Sequence, residues 1–258
     1  MTQPAIWLGT SLKMYFSYQQ TIDWCRAVAE TARHHPAVRD GHVGLFVLPS
    51  FPVIPAMADI FNDTPVRFGA QNIAPGANGA WTGEVSASMV QELKGSLAEI
   101  GHAERRRHFA ESETQIASKV ALALEHNLTP VLCIGEEQQG TPQQAVALCA
   151  AQLASALQDA RRQRRHGNVF FAYEPQWAIG AAQPAPDSYI REVCSALRQL
   201  TVPEGITLSV IYGGSAGPGL ITRLHGSVDG LFLGRFAHDP GALAQMIDEA
   251  ALLTKRGK

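Results

Sequence analysis

The sequence lacks the features that mark several specialised classes of protein. Its 258 residues include only four cysteines, and none of them forms a Cys-x-x-Cys motif. A disulfide framework is therefore not expected, and thiols in a reducing cytoplasm fit better. The N-terminus has no signal-peptide pattern, and no apolar run reaches the length of a membrane span. We expect a cytoplasmic protein that has no membrane partner.

A large net charge of either sign is also absent. The formal net charge is −2, so no overall electrostatic field favours nucleic acid, and no nucleic-acid partner is expected. The one basic run, "RRQRR" at 161–165, is interpreted as a solvated helix end, where cations suit the helix dipole. There is no Walker motif, no His-Glu-x-x-His motif and no low-complexity linker. The sequence therefore predicts neither a cofactor nor a metal site.

Eight short apolar runs recur along the chain, each bounded by turn residues. They are "AIWLG", "GLFVLP", "VRFGA", "LAEIG", "PVLCIG", "NVFFAYEP", "LSVIYGG" and "GLFLG". Continuous apolar character without alternation is typical of strands that are buried on both faces. The runs therefore predict eight buried strands.

Segments with helical periodicity separate these runs. In "SETQIASKVALALEHN", Ser112 and Gln115 have the spacing of a capping box, and Ile116, Val120 and Leu124 recur on one face. Further helices are predicted at about 21–33, 143–165, 187–200 and 241–253.

Strands that alternate with helices imply parallel pairing through right-handed crossovers. Eight such units predict an α/β fold, a closed (β/α)8 barrel that forms a single domain over residues 1–258. A doubly wound open sheet is the rival architecture. It would usually carry a glycine-rich phosphate fingerprint after its first strand, where this chain has "GTSLKMY".

Polar residues follow almost every apolar run. In a (β/α)8 barrel the chemistry lies at the C-terminal ends of the strands, so these residues are expected on one face. They include Ser11, Lys13, Gln71, Asn72, His102, Glu104, Arg105, Arg106, Glu136, Glu174, Gly213, Gly214, Ser215, Gly234 and Arg235. Each residue alone is equally compatible with a loop cap, a surface charge or an ion pair, so the prediction depends on their convergence.

The converging side chains suit proton transfer next to a carbonyl group. Glu174 is a competent base for a carbon-bound proton if it is held dry and close. His102, at the start of a helix, can stay neutral and donate a hydrogen bond to a carbonyl oxygen. Lys13 supplies positive charge for an enediolate or a phosphate. The glycines near Ser215 and Gly234 leave backbone N–H groups accessible to a phosphate.

Several stretches, in this order, make the chain resemble the triosephosphate isomerase family over nearly its whole length. They are "GAQN" at 69–72, "TGEVS" at 82–86, "GHAERR" at 101–106, "CIGE" at 133–136, "AYEPQWAIG" at 172–180, "YGGS" at 212–215 and "DGLFLG" at 229–234. The family, a standard example of pKa tuning, consists of cofactor-independent TIM barrels. The resemblance implies an isomerase of a small phosphorylated sugar that assembles as a homodimer.

The resemblance also assigns roles to residues. Glu174 is similar to the family's proton-shuttling base, His102 to its neutral electrophile and Lys13 to its electrostatic anchor. The remaining assignments are Glu104 as a carboxylate beside that lysine, Gly180, Gly214, Ser215 and Gly234 as phosphate-binding positions, 175–180 as a lid, and Thr82 as the residue that reaches the partner subunit.

Departures from the family pattern leave the substrate open. Ser11 and Leu12 stand where the family usually has "NW", Ala103 replaces the usual serine, and Arg235 replaces the usual second glycine of the last phosphate loop. The default reaction is D-glyceraldehyde 3-phosphate to dihydroxyacetone phosphate, as in glycolysis and gluconeogenesis. Ser11 and the Gly-Arg pair also resemble a branch of the family that acts in erythritol-type catabolism. The enzymes of that branch interconvert L-erythrulose 1-phosphate and D-erythrulose 4-phosphate.

Two other classes of function compete with these reactions. A phosphate-binding or scaffold barrel without turnover would be consistent with the changes at positions 11, 103 and 235. An aldolase-type barrel would need a Schiff-base lysine buried on a central strand, whereas Lys13 follows the first strand.

Overall fold

All eight apolar runs form strands of one parallel sheet in the computed structural model, which describes residues 4–255. The sheet closes into a barrel in chain order, with β1 paired to both β2 and β8. The strands are β1 (Ile6–Ser11), β2 (Val43–Leu48), β3 (Arg67–Ala70), β4 (Leu97–Ile100), β5 (Thr129–Ile134), β6 (Gly167–Tyr173), β7 (Ile206–Tyr212) and β8 (Gly230–Leu233). The predicted closed (β/α)8 barrel is confirmed.

Helices follow the strands and pack against the outer face of the barrel. They are α1 (Tyr18–His34), α2 (Pro36–Arg39), α3 (Ile54–Ile60), α4 (Ala87–Glu92), α5 (Ala103–Phe109), α6 (Glu113–Glu125), α7 (Pro142–Ala156), α8 (Gln158–Arg162), α9 (Asp187–Leu197), α10 (Leu220–Arg223) and α11 (Pro240–Lys255). Short 3₁₀ turns lie at Phe51–Val53, Gln176–Ala178 and Arg235–His238. Within residues 4–255, no helix combines the length and apolar character that a membrane crossing requires.

The helix boundaries follow the local signals closely, with one break. Ser112 and Gln115 form the predicted capping box of α6, and Asn127 follows that helix with a left-handed φ of 56°. The helix predicted over 143–165 instead divides into α7 and α8 at Leu157, which is the C-cap of the first and the N-cap of the second. The basic run then lies at the end of α8, and Arg164 leaves the helix with a φ of 51°.

The inside of the barrel is filled by its own aromatic layer. Successive strand residues point to opposite faces, so Trp7, Phe46, Phe170 and Phe232 turn inward while their neighbours pack against the helices. The ring centroid of Phe170 lies 5.1 Å from those of both Trp7 and Phe46. This layer fills the interior of the barrel below the C-terminal ends of the strands.

Candidate active site

Strand alternation brings distant polar residues to the inner face of the barrel, above the aromatic layer. Ser11 lies four residues after the inward-facing Trp7, and Glu174 lies four residues after the inward-facing Phe170. Since side chains repeat on one face every second residue, both turn towards the barrel axis at the C-terminal ends of their strands. His102 follows β4 directly after Gly101, whose φ of 75° redirects the chain.

A cavity of about 420 Å³ opens at this end of the barrel. Eleven residues predicted from the sequence line it: Ser11, Lys13, His102, Glu104, Glu174, Gly180, Gly213, Gly214, Ser215, Gly234 and Arg235. Thr82 does not line it and lies in an exposed stretch at 77–84.

A larger cleft of about 690 Å³ lies at the opposite end of the barrel, between α7, α8 and the segment before β7. Its wall contains arginines, apolar side chains, His166 and Glu204, but it lies at the N-terminal ends of the strands, whereas barrel enzymes carry their chemistry at the C-terminal ends. The smaller cavity is therefore the candidate active site.

Lys13 is held in an unusual backbone conformation. Its φ of 49° is left-handed, which a residue with a side chain adopts only under constraint. Two side chains supply that constraint, since Gln71 Nε2 and Ser50 Oγ both donate to the Lys13 carbonyl oxygen, at 3.1 and 3.0 Å. The conformation directs the ammonium group to Glu104, whose Oε1 accepts a hydrogen bond from Nζ at 2.7 Å.

The charge of Lys13 is stabilised in place. Burial alone would lower the pKa of the ammonium group, but the hydrogen bond to Glu104 and the nearby Glu174 and Glu99 carboxylates outweigh it, so the net pKa is raised. For Glu104, burial acts to raise the pKa, whereas Lys13 lowers it more strongly. The pair is therefore ionised at neutral pH and places a fixed cation in the cavity wall.

His102 is poised as a neutral hydrogen-bond donor. Its Nδ1 accepts a hydrogen bond from the backbone N–H of Glu104 at 3.1 Å, which leaves the ring proton on Nε2. Burial, followed by the positive charge of Lys13, lowers the pKa of the imidazole to about 4. The Nε2 atom lies 3.6 Å from Oε2 of Glu174, so the donor and the carboxylate face the same volume.

Glu174 combines deep burial with a close fit to its neighbours. Only 4% of the residue is exposed, and burial together with the Glu99 carboxylate raises the pKa of Glu174 to about 8, against the opposing charge of Lys13. A Cβ atom at Gly213 would lie 2.7 Å from Glu174 Cγ, so a side chain there would displace the carboxylate. Glycine at position 213 is therefore a requirement of the site.

Glycines and exposed polar groups form another part of the cavity wall. A Cβ atom at Gly214 would lie 2.1 Å from the Tyr212 hydroxyl, so only glycine fits there. Ser215 is exposed beside it, and Gly234 precedes the 3₁₀ turn that begins at Arg235. Backbone N–H groups can approach a phosphate closely at such turns.

The segment after Glu174 is fastened by Glu136, which does not line the cavity. Its Oε1 accepts hydrogen bonds from Trp177 Nε1 at 2.8 Å, Tyr173 OH at 2.9 Å and Tyr189 OH at 3.0 Å. Trp177 belongs to the 3₁₀ turn Gln176–Ala178, and Gly180 ends the segment with a φ of 73°. One carboxylate thus anchors the segment predicted to be the lid.

Sequence reasoning missed Glu99, which was included in an apolar strand. Only 3% of Glu99 is exposed, and its Oε2 accepts a hydrogen bond from Ser11 Oγ at 2.7 Å. A single carboxylate inside an otherwise apolar run was the available signal, because burying a charge without a partner is costly.

A buried pair, Glu111 and Lys119, was also missed. Lys119 Nζ donates to Glu111 Oε1 at 2.9 Å and to Asn72 Oδ1 at 2.7 Å. The position of Lys119 three residues after Ile116 puts it on the apolar face of α6, which was the signal for a buried partner.

Comparisons with known proteins show the family of the chain. The model of the family described as triosephosphate isomerase matches residues 6–250. A protein of Pectobacterium atrosepticum named L-erythrulose-1-phosphate isomerase is 52% identical over 258 residues, which are 99% of this chain and 100% of that protein. A protein of Listeria monocytogenes named probable triosephosphate isomerase 2 is 34% identical, over 96% of this chain and 97% of that protein.

The crystal structure of triosephosphate isomerase from Bartonella henselae shares the fold. It superposes with a TM-score of 0.76 and 22% identity, over 95% of this chain and 98% of that one. The fold and the cavity define a (β/α)8 barrel with a carboxylate–imidazole–lysine site. The chain belongs to the triosephosphate isomerase family, as the resemblance predicted, and it is an enzyme of the isomerase type.

Neutrality of His102 can be measured directly. Because burial and Lys13 disfavour the imidazolium form, the ring of His102 is expected to stay neutral, with its proton on Nε2, down to a pKa of about 4. Nitrogen-15 NMR of the histidine rings between pH 4 and 8 checks this, and a His102→Gln variant assigns the signal. A midpoint near the ordinary value of 6.5 for His102 would contradict the assignment.

Proposed function

We propose that this protein interconverts L-erythrulose 1-phosphate and D-erythrulose 4-phosphate by proton transfer through an enediolate. The observation that carries the reaction class is the geometry of Glu174 and His102, a buried carboxylate 3.6 Å from a neutral imidazole in the cavity that also contains Lys13. The full-length relative with 52% identity and that printed name supports the four-carbon substrate.

The proposed reaction needs only the chain's own residues. Glu174 removes the proton on C3 of L-erythrulose 1-phosphate while His102 Nε2–H donates to the C2 carbonyl oxygen, which gives an enediolate. The ammonium group of Lys13 stabilises the negative charge. The C3 hydroxyl proton passes to the C2 oxygen through His102, and Glu174 returns its proton to C2. The carbonyl group has then moved to C3, and the product is D-erythrulose 4-phosphate, with no net oxidation.

The two candidate substrates present the same reacting atoms to Glu174, His102 and Lys13. L-Erythrulose 1-phosphate is dihydroxyacetone phosphate in which a hydroxymethyl group replaces one hydrogen on the carbon that loses its proton. The reacting atoms are therefore unchanged, and only the room beside them differs. Ser11, with its short side chain, is one residue that widens the cavity in this proposal.

Triose phosphate isomerisation is the second candidate. It was the default prediction from the sequence, and the Listeria monocytogenes relative at 34% identity carries that name. The catalytic roles of Glu174, His102 and Lys13 are the same in both candidates, so the choice between them concerns the substrate alone.

Phosphate binding is assigned in this proposal to Gly180, Gly214, Ser215, Gly234 and Arg235. All five line the cavity, where the glycines allow close backbone approach. Arg235 is exposed at its rim and adds a positive charge that a dianionic phosphate would favour. Closure of 175–180 over the bound substrate would exclude water while the enediolate exists.

We further propose a homodimer in the cytoplasm. Large apolar side chains are exposed on the surface, including Met14 (92%) and Trp81 (49%) on loops and Phe109 (67%) at the end of α5. Thr82 follows Trp81 in an exposed loop that can reach a second copy. All four cysteines are free and buried, which suits a reducing compartment.

The substrate is tested by steady-state kinetics with both ketose phosphates. We expect kcat/KM for L-erythrulose 1-phosphate to exceed that for dihydroxyacetone phosphate by at least ~10-fold, because a site that binds the extra hydroxyl disfavours the shorter analogue. The reverse preference would select the triose reaction. Turnover of neither substrate, with binding of both retained, would favour a scaffold protein.

Replacement of the base tests the mechanism. Glu174→Gln keeps the shape of the side chain but removes the proton acceptor, so turnover should fall by roughly 10²–10⁴-fold while inorganic phosphate and substrate still bind. In the wild type, kcat/KM should rise with pH up to the pKa of about 8, because the base must be ionised. A variant with unchanged turnover would remove Glu174 from the mechanism.

The homodimer is tested by sedimentation velocity. Thr82→Asp should shift the protein from a dimer to a monomer, because a buried charge without a partner is costly at an interface. Asn78→Asp is the matched control, since it adds the same charge in the same exposed stretch. A monomeric wild type would contradict the proposal.

A further inference from the structure

The bond between Ser11 and Glu99 crosses the inside of the barrel. Ser11 ends β1, whereas Glu99 lies on β4, three strands further round the ring. Glu99 lies two residues after the inward-facing Leu97, so it also points to the barrel axis. The 2.7 Å bond between Ser11 Oγ and Glu99 Oε2 therefore lies between the aromatic layer and the reacting groups.

A serine hydroxyl carries one donor and two acceptor lone pairs. Ser11 uses its single donor on the ionised Glu99, so only lone pairs remain to face the cavity that Ser11 lines. Such an oxygen accepts a hydrogen bond from a substrate hydroxyl, but it repels the oxygen atoms of a carbonyl group or a phosphate. The buried carboxylate thereby decides what the serine can bind.

We propose that Glu99 is a positioning residue that, through Ser11, creates a subsite for the hydroxymethyl group of a four-carbon ketose phosphate. This inference rests on the proposed function and names the part of the cavity that distinguishes the substrates. The hydroxymethyl O–H donates to Ser11 Oγ, and the phosphate is excluded from this position. The substrate can then bind in one orientation only, although it has a CH₂O group at both ends.

The ionisation of Glu99 adds a pH dependence. Burial raises the pKa of Glu99 to about 7, although the Ser11 hydrogen bond and Lys13 act to lower it. The other charged or titratable groups that act on this carboxyl are Glu104 of α5, Glu111 before α6, Glu174 after β6 and Cys133 on β5. Below this pKa the protonated Glu99 can donate to Ser11 Oγ. The hydroxyl of Ser11 then turns its own proton to the cavity and is left with one free lone pair, so it is a weaker acceptor for the substrate hydroxyl.

The experiment measures a ratio, the kcat/KM for L-erythrulose 1-phosphate divided by that for dihydroxyacetone phosphate. Ser11→Ala and Glu99→Gln should each lower this ratio roughly 3- to 10-fold, the net effect of one hydrogen bond. In the double variant the two effects should not add, because Glu99 acts through Ser11. A merely structural role would change both substrates equally and leave the ratio constant.

Thr10→Val is the matched control. Thr10 is the neighbour of Ser11 on β1, but its hydroxyl faces the other side of the strand and donates to the Leu233 carbonyl oxygen at 3.2 Å. The variant loses a buried hydroxyl without touching the cavity and should leave the ratio unchanged. In the wild type the ratio should fall from pH 8 to pH 6, and in Ser11→Ala it should not.

Binding separates failure of this inference from failure of the proposed function. Calorimetry with erythritol 4-phosphate and glycerol 3-phosphate, a four-carbon and a three-carbon ligand that cannot react, gives the same comparison without turnover. The preference for the longer ligand should decrease roughly 3- to 10-fold in Ser11→Ala. An unchanged preference in both single variants would overturn the subsite, whereas a wild type that binds both ligands but isomerises neither substrate would overturn only the function.

Thermal unfolding of the wild type and of Glu99→Gln tests whether the buried Glu99 carboxyl ionises near neutral pH. The pKa of Glu99 is raised from 4.5 to about 7 on folding, so the contribution of this group to wild-type stability decreases as the pH rises through this window. Glu99→Gln removes that decrease, and its melting temperature relative to the wild type should rise from pH 5 to pH 8. A constant difference would show that Glu99 does not ionise there, which would overturn the mechanism.

Discussion

The pairing of the first strand with the last is the constraint on which the site depends. Trp7 pairs with Gly230 and Thr10 with Leu233, so the ring closes and the segments after β1 and β8 become neighbours. Without this closure, Lys13 and Gly234 would lie at opposite edges of an open sheet. Closure also removes the exposed sheet edges and confines the interior, which the aromatic layer fills below the C-terminal ends of the strands. The position of the chemistry is therefore a consequence of the backbone hydrogen bonds.

Electrostatics inside this confined space follow from a shortage of positive charge. Glu174 and Glu99 are both buried and both raise each other's cost of ionisation, whereas Lys13 is the cation that acts on both. Lys13 is in turn shared with Glu104, which is half exposed and holds the ammonium group at 2.7 Å. His102 adds no further charge because it stays neutral. The pKa values of Glu174 and Glu99 consequently lie close to neutral pH, where a base can both take up and release a proton.

Much of the fold follows from local sequence signals, but contacts across the barrel do not. Eight apolar runs, bounded by turn residues, identify the strands. The family motifs identify Lys13, His102 and Glu174 as candidate catalytic residues. The helices α3, α4 and α10 have seven residues or fewer, too short to show a periodic apolar face. The bond from Ser11 to Glu99 depends on the relative register of β1 and β4, which no stretch of sequence encodes locally. The hydrogen bonds that Glu136 accepts from Tyr173, Trp177 and Tyr189 likewise depend on tertiary packing and not on a local sequence pattern.

The left-handed backbone at Lys13 sets folding against chemistry at a single position. Glycine would relax the main chain there but would remove the cation, and an uncharged residue with a Cβ atom would keep the strain without supplying the charge. Attempts to make this enzyme more heat-resistant should therefore leave the corner after β1 untouched. The opposite end of the barrel, where loops such as 200–204 take no part in the chemistry, is the place where rigidifying substitutions are compatible with turnover.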